Sequence, residues 1–313
     1  CVDADGQSLG PAIMYNDGRA QEQAARLAEL SGEPIAPSWA IARVQWLAEN
    51  DPDRYERARW ILHQADYITS RLTLDFGRSD YSNALKMGYD IQSLAWPDWV
   101  QAMPGARHRL PDVVAPAEPI GQIDANVANE LGLPSNLQLF AGATDGTAGF
   151  LASGAAQPGE VNATLGTTLV FKAMSDRFVE DPTGRMYCHR LPGEMWLPGA
   201  ASSTGGEWIS HAFAEADLAA MDRHAAAATP IDVLAWPLVR TGERFPVLKP
   251  AFAGFCDHVA SEADRFAAML QGTAFVEGCV TTRCKKRWVD LRGIHMPRGA
   301  AVRATSGCRF AAM

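Results

Sequence analysis

The stretch Leu137-Gln138-Leu139-Phe140-Ala141-Gly142-Ala143-Thr144-Asp145-Gly146-Thr147-Ala148-Gly149, with Leu165-Gly166-Thr167-Thr168-Leu169 beyond it, decides how this chain is read. The apolar run at Leu137 to Phe140 predicts a buried strand. The small residues after it form a turn on which Asp145 has no bulky neighbour, so a ligand can approach its carboxylate closely. Farther on, Val161 to Leu165 and Leu169 to Lys172 predict a strand pair. The Gly166-Thr167-Thr168 turn between them offers backbone N–H groups and two hydroxyls, a concavity suited to phosphate oxygens.

A lone carboxylate and a phosphate-holding turn suit phosphoryl transfer to an alcohol. That chemistry needs an in-line hydroxyl, a carboxylate to accept its proton, and donors plus a metal ion to neutralise the phosphates. Asp145 is the candidate base, and Gly166, Thr167 and Thr168 are the candidate phosphate cradle. A plainer reading stands beside this one: Asp-Gly is a common turn dipeptide, and Gly-Thr-Thr between β-rich runs can be a simple hairpin.

The run Ala141 to Gly149 with Leu165 to Thr168 resembles the FGGY carbohydrate kinases. Further matches lie at Met14-Tyr15-Asn16-Asp17-Gly18-Arg19, Ser79-Asp80-Tyr81-Ser82-Asn83-Ala84 and Gly242-Glu243-Arg244-Phe245-Pro246. Within that family, Tyr187-Cys188-His189-Arg190 and Gly199 to Gly206 are most similar to the D-ribulokinase branch. The resemblance implies an α/β fold of the actin-like (ribonuclease H-like) two-domain type. It implies ATP with Mg²⁺, a ketopentose such as D-ribulose phosphorylated at its terminal hydroxyl, and substrate contacts from Asn16, Asp17, Asp145 and Gly146. Xylulokinase is the near rival, and a non-catalytic remnant that binds sugar or a partner is the rival of another class. The implied partners are a small-molecule sugar and a second copy of the chain in a homodimer.

A chain of 313 residues is long enough for two cores, and 47 % hydrophobic with 20 % charged residues is ordinary for a globular protein. The net charge of −8 argues against a general nucleic-acid or anionic-membrane binder. No window approaches the roughly 18 apolar residues of a membrane span. Six cysteines show no disulfide density and no paired C-x-x-C, so no metal site is expected and the expected setting is reducing and cytoplasmic. Ala201-Ser202-Ser203-Thr204-Gly205 lacks the first glycine of a nucleophile elbow, which sets aside a serine hydrolase.

Along the chain, strands alternate with helices, the pattern of an α/β protein. A helix is expected from about Arg19 to Leu30, stopped by Gly32, and Ser38 is the expected cap of the next. Asp51-Pro52 opens a third helix, Trp60 to His63 reads as a short strand, and Thr73 to Tyr89 reads as a loop. Asp124 caps a helix that ends at Gly132. Met186 to Arg190 and Met195 to Leu197 read as a hairpin around Pro192-Gly193-Glu194. Helices are expected from Glu207 to about Ala220 and from Asp264 to Glu277, the latter stopping at Gly278. The expected organisation is a sugar-binding domain at 1–157, a nucleotide-binding domain at 158–277 and a divergent tail at 278–313.

The resemblance fails at both ends. Nothing before Met14 matches the family's first strand and Asp-x-Gly-Thr/Ser phosphate loop, and no Gly-Gly adenine turn follows Gly278. Residues 278–313 carry eight Lys/Arg against the single acid Asp290, which is +7 and leaves −15 for the remainder. That shift in composition reads as an altered reading frame or foreign terminus, with a true basic tail as the alternative. The expectation is a chain incomplete at both ends that binds ATP weakly and transfers phosphate poorly.

Overall fold

The computed structural model describes residues 1–179, 181, 185–287 and 293–295. They form two compact units. One comprises Cys1–Thr147 with Arg190–Gly193, the other Ala148–His189 with the chain from Glu194 onward.

The first unit is built on helices whose apolar residues recur on one face. In Gln21–Ser31, Ala24 and Leu27 are buried, and in Ala40–Asn50, Ile41, Val44 and Leu47 are buried. Together with Tyr55, Val100 and Met103 they make one contiguous core. The first helix ends where Gly32 takes the left-handed conformation (φ 76°), which costs glycine little. Leu30, near the end of that helix, is 60 % exposed. Ser38 is not the cap of the second helix. Trp39 stands there in extended conformation, with no side-chain hydrogen bond. The third helix, Pro52–Arg57, starts as expected, with Asp51 accepting from Arg54 N.

Two small strand pairs complete this unit. Arg78–Asp80 runs parallel to Asp112–Val114, and Pro119–Gln122 antiparallel to Gln138–Phe140. The first replaces part of the loop expected from Thr73 to Tyr89, because Asp80 caps a short helix, Tyr81–Ala84. Trp60 makes only an isolated bridge to Val2, so the strand expected at Trp60 to His63 does not form. The strand at Gln138–Phe140 exists, but only Leu139 is buried, against Ile123 and Ala128. Asp124 caps Ala125–Leu131, and Gly132 ends it at φ 67°.

The second unit is organised by a five-stranded sheet in the order Gly293–His295, Glu160–Leu165, Leu169–Ala173, Met195–Ser202, Met186–Leu191. Its first pair is parallel, and the next two pairs are antiparallel. The helix expected from Glu207 to Ala220 is two helices, Glu207–Ala212 and Leu218–Ala228. Phe213 anchors the break, buried against Trp208 and Phe266, and Asp217 starts the second helix by accepting from Ala219 N and Ala220 N.

The last helix, Glu262–Arg287, runs through Gly278 rather than stopping there. Phe266, Ala267, Met269, Gln271, Thr273 and Val276 hold its buried face, and its two interior glycines, Gly272 and Gly278, each costing about 1 kcal/mol, do not end it. Phe275, on the opposite side, is exposed. Most of the expected tail, 278–313, lies outside the described residues. Among the described residues, no helix is long and apolar enough to cross a membrane.

Candidate functional site

In the first unit, Asp145 is the first residue of the helix Asp145–Ala152 and is exposed. Its Oδ1 accepts from Gly146 N at 2.7 Å. Gly142, three residues before it, has open space where a side chain would stand. A carboxylate at a helix start is favoured by the helix dipole, so Asp145 is stably presented to solvent and to a ligand.

The turn that presents Asp145 is tied down by a cluster of hydroxyls. Thr144 N donates to Ser82 Oγ at 3.1 Å, and the Thr144 hydroxyl lies 3.1 Å from Ser82 Oγ and 3.2 Å from that of Thr147. Thr147 is fully buried. Ser82 is itself fixed: Asp80 Oδ1 accepts from Ser82 N at 2.8 Å and Asn83 N at 3.0 Å, while Asn83 Nδ2 donates to Oδ2 at 2.6 Å. Burial pushes the Asp80 carboxyl above its ordinary value, and the charge of Asp66 adds to this against the hydrogen bonds from Asn83 and Ser82. Asp66 accepts from Ser79 Oγ at 2.9 Å and His63 N at 3.0 Å, so His63 serves the start of a helix.

Asn16 is exposed, and Asp17 is engaged by Arg19. Arg19 Nε and Nη2 reach both Asp17 carboxylate oxygens, at 2.7 to 3.0 Å, and Arg19 N adds a third donor group. The side-chain bond from Arg19, then its backbone N–H, holds the Asp17 carboxyl down at about 2. The Arg19 guanidinium also lies over the Trp46 ring, 4.8 Å from its centroid.

In the second unit, Gly166, Thr167 and Thr168 connect two antiparallel strands, with Leu165 paired to Leu169. Gly166 and Thr167 are exposed. Gly166 N is spent on Thr168 O at 3.0 Å, so the donors at the tip are those of Thr167 and Thr168. The turn is clamped from behind by the segment after Met195–Ser202: Leu169 N donates to Thr204 O at 2.8 Å, and Gly206 N to Gly166 O at 2.7 Å. A Cβ on Gly205 would lie 2.2 Å from Thr167 O, so only glycine fits at this approach.

The exposed Thr167 hydroxyl and the half-buried one of Thr168, on a turn clamped from behind, fit an anionic phosphate. Among the described residues no group of three or more His, Cys, Asp or Glu gathers to hold a metal ion. Mg²⁺ needs no such group, since it commonly binds through one or two carboxylates together with substrate phosphates. Sequence reading found Asp145 and the Gly166 turn but passed over Ser82, Thr144 and Glu243, whose roles depend on pairings across many residues. Only the motif matches around Ser82 and Glu243 marked them.

Residues 1–152 match the N-terminal domain of the FGGY family of carbohydrate kinases. Xylulose kinase of Escherichia coli (strain K12) is 26 % identical over 294 residues, which is 88 % of this chain and 60 % of that protein. Gluconokinase of Bacillus licheniformis is 26 % identical over 250 residues, 74 % of this chain and 48 % of that protein. This chain thus spans about half to three-fifths of the length of these relatives. Among solved structures, a xyloylose kinase from Brucella ovis is 25 % identical at a TM-score of 0.84, covering 99 % of this chain and 67 % of that one. Xylulose kinase from Rhodospirillum rubrum gives a TM-score of 0.86 at 22 % identity with the same coverage, which speaks to the fold alone.

The fold is therefore the actin-like, ribonuclease H-like α/β fold. The likeness to the FGGY carbohydrate kinases rests on residues 1–152, which match that family's N-terminal domain, and similarity to individual sugar kinases extends over up to 88 % of the chain.

Proposed function

We propose that this chain belongs to the FGGY carbohydrate kinases and carries their chemistry: phosphoryl transfer from MgATP to the terminal hydroxyl of a ketopentose. In this reading Asp145 accepts the hydroxyl proton and Gly146 lines the approach, while Asn16 and Asp17 contact the sugar. The Thr167 and Thr168 donors, with Gly166 shaping the turn, hold phosphate oxygens. The observation that carries the reading is the presentation of Asp145: exposed, at a helix start, on a turn fixed by Ser82 and Thr147. A general base needs access and a fixed position before anything else. The bidentate grip of Arg19 on Asp17 means a sugar hydroxyl would bind to that pair as a unit.

For the sugar itself, the D-ribulokinase-like Tyr187 to Arg190 and Gly199 to Gly206 runs favour D-ribulose. The xylulose kinases among the relatives favour D-xylulose as the second reading. The domain roles follow the same reading, with sugar at the N-terminal side and nucleotide at the C-terminal side. A cytoplasmic setting, supported by the free cysteines Cys1, Cys188, Cys256 and Cys279, and a homodimer complete the proposal.

The test is ADP release from MgATP with D-ribulose, D-xylulose or L-ribulose, using Asp145→Asn as control. Sugar-dependent release that falls about 10²- to 10⁴-fold in the variant supports both the reaction and the base. Release that Asp145→Asn leaves unchanged would remove Asp145 from the mechanism, and sugar-independent or absent release would remove the kinase reading.

A further inference from the structure

Glu243 is a carboxylate buried to 1 % exposure, and no step above uses it. Each of its oxygens faces donors only. Oε2 accepts from Trp236 Nε1 at 2.9 Å, Ser202 Oγ at 3.0 Å and Thr204 Oγ1 at 3.3 Å. Oε1 accepts from Ser203 N at 2.7 Å and Arg244 N at 2.8 Å. Its own backbone is pinned by a reciprocal pair of bonds with Lys249.

Burying a carboxylate is costly even when it is fully hydrogen-bonded, and an apolar side chain would fill the same space more cheaply. The donors show what the arrangement achieves. Ser202, Ser203 and Thr204 are consecutive, and all three are held by the one carboxylate. Ser202 Oγ in turn accepts from Thr204 N at 3.0 Å. Thr204 O receives Leu169 N, and Gly206 N reaches Gly166 O, so this same segment grips both shoulders of the Gly166–Thr168 turn.

We propose that Glu243 is a positioning residue that fixes the Gly166–Thr168 turn for phosphate through Ser202, Ser203 and Thr204. The proposal rests on the reading of that turn as a phosphate site. Glu243 lies behind the turn and touches no nucleotide. Replacement by Gln presents an N–H₂ group to oxygens or nitrogens that themselves donate, whichever way the amide is turned, so the register of Ser202 to Thr204 is lost.

The experiment measures MgATP binding by titration calorimetry, with amide exchange at Leu169 and Gly206, in the full chain. Glu243→Gln is compared with Met269→Ala, a core change in the cluster around Trp208 and Phe266. The expected result is a Kd for MgATP raised about tenfold or more by Glu243→Gln, corresponding to about 1.4 kcal/mol. Exchange at Leu169 and Gly206 should quicken in that variant. Met269→Ala should lower the melting temperature while leaving Kd within about twofold and exchange at those two amides unchanged. If Glu243→Gln fails to fold, Ser202→Ala cuts the same chain of bonds one atom further on and carries the same expectation.

Unchanged binding and exchange in the Glu243 variant, or equal losses in Met269→Ala, would overturn the proposal. The phosphate reading fails separately: wild-type chain that binds no MgATP, or Thr167→Ala with Thr168→Ala that binds as well as wild type, removes it. In that case the exchange rates alone decide whether Glu243 orders the turn.

Discussion

Ser82 Oγ accepts the Thr144 amide hydrogen at 3.1 Å, joining two segments 62 residues apart in sequence. Through that bond the capped turn at Asp80 fixes the residue immediately before Asp145. Ser82→Ala leaves the Thr144 N–H without its acceptor in a part-buried position, a loss of about 1–3 kcal/mol. The melting temperature should fall by about 2–4 °C for each kcal/mol, read by scanning calorimetry. Sugar-dependent turnover should fall more than sugar affinity, because the turn bearing the proposed base is loosened. An unchanged melt would show the bond to be dispensable.

Asp80 predicts a pH dependence. Its folded carboxyl is raised above the ordinary value of 3.8, chiefly by burial. A raised folded value favours the protonated native state, so its contribution is fully present below 3.8 and is lost as pH rises through the folded value. The stability of wild type relative to Asp80→Asn should therefore be greatest at the acid end and decline from about pH 4 upward. Denaturant unfolding of both proteins at several pH values measures this. A difference that grows with pH would contradict the burial argument.

Asp17 predicts the opposite sign. Arg19 holds its carboxyl at about 2, so the pairing favours folding above the ordinary value of 3.8 and that contribution is lost as pH falls toward 2. In Arg19→Ala the Asp17 carboxyl, followed by NMR, should titrate close to 3.8.

Gly205→Ala tests the close approach to Thr167. Its Cβ would stand 2.2 Å from Thr167 O and 2.4 Å from Thr168 Cα, so the backbone must move. Overpacking of this kind costs about 1–3 kcal/mol. The variant should melt lower and bind MgATP more weakly than wild type. Gly278→Ala, which has open space around it, should do neither.

Local signals were legible in the sequence. Gly32 and Gly132 end helices, Asp51 and Asp124 start them, and Gly193 turns a hairpin, because each acts on backbone within a few residues. The helix start at Asp145 and the Gly166–Thr168 turn were legible for the same reason: small residues and turn chemistry mark them locally. What escaped was set by tertiary contacts. The break at Phe213 depends on aromatic packing with Trp208 and Phe266, and the helix passes through Gly272 because buried residues, Phe266 to Val276, stand on both sides of it. Ser38 has the composition of a cap but not the position, since the helix begins two residues later. Ser82 and Glu243 act on segments 62 and about 40 residues away, a distance over which periodicity carries no information.

The Gly166–Thr168 turn is only three residues long, yet its shape is specified by three separate lengths of chain: its own hairpin, the Ser202–Gly206 run, and Glu243. A graft of the hairpin alone into another sheet would carry the hydroxyls without the clamp, and the loop would relax to whatever its new neighbours allowed. A faithful transplant has to move all three pieces together, with Trp236 to occupy the remaining lone pair of Glu243.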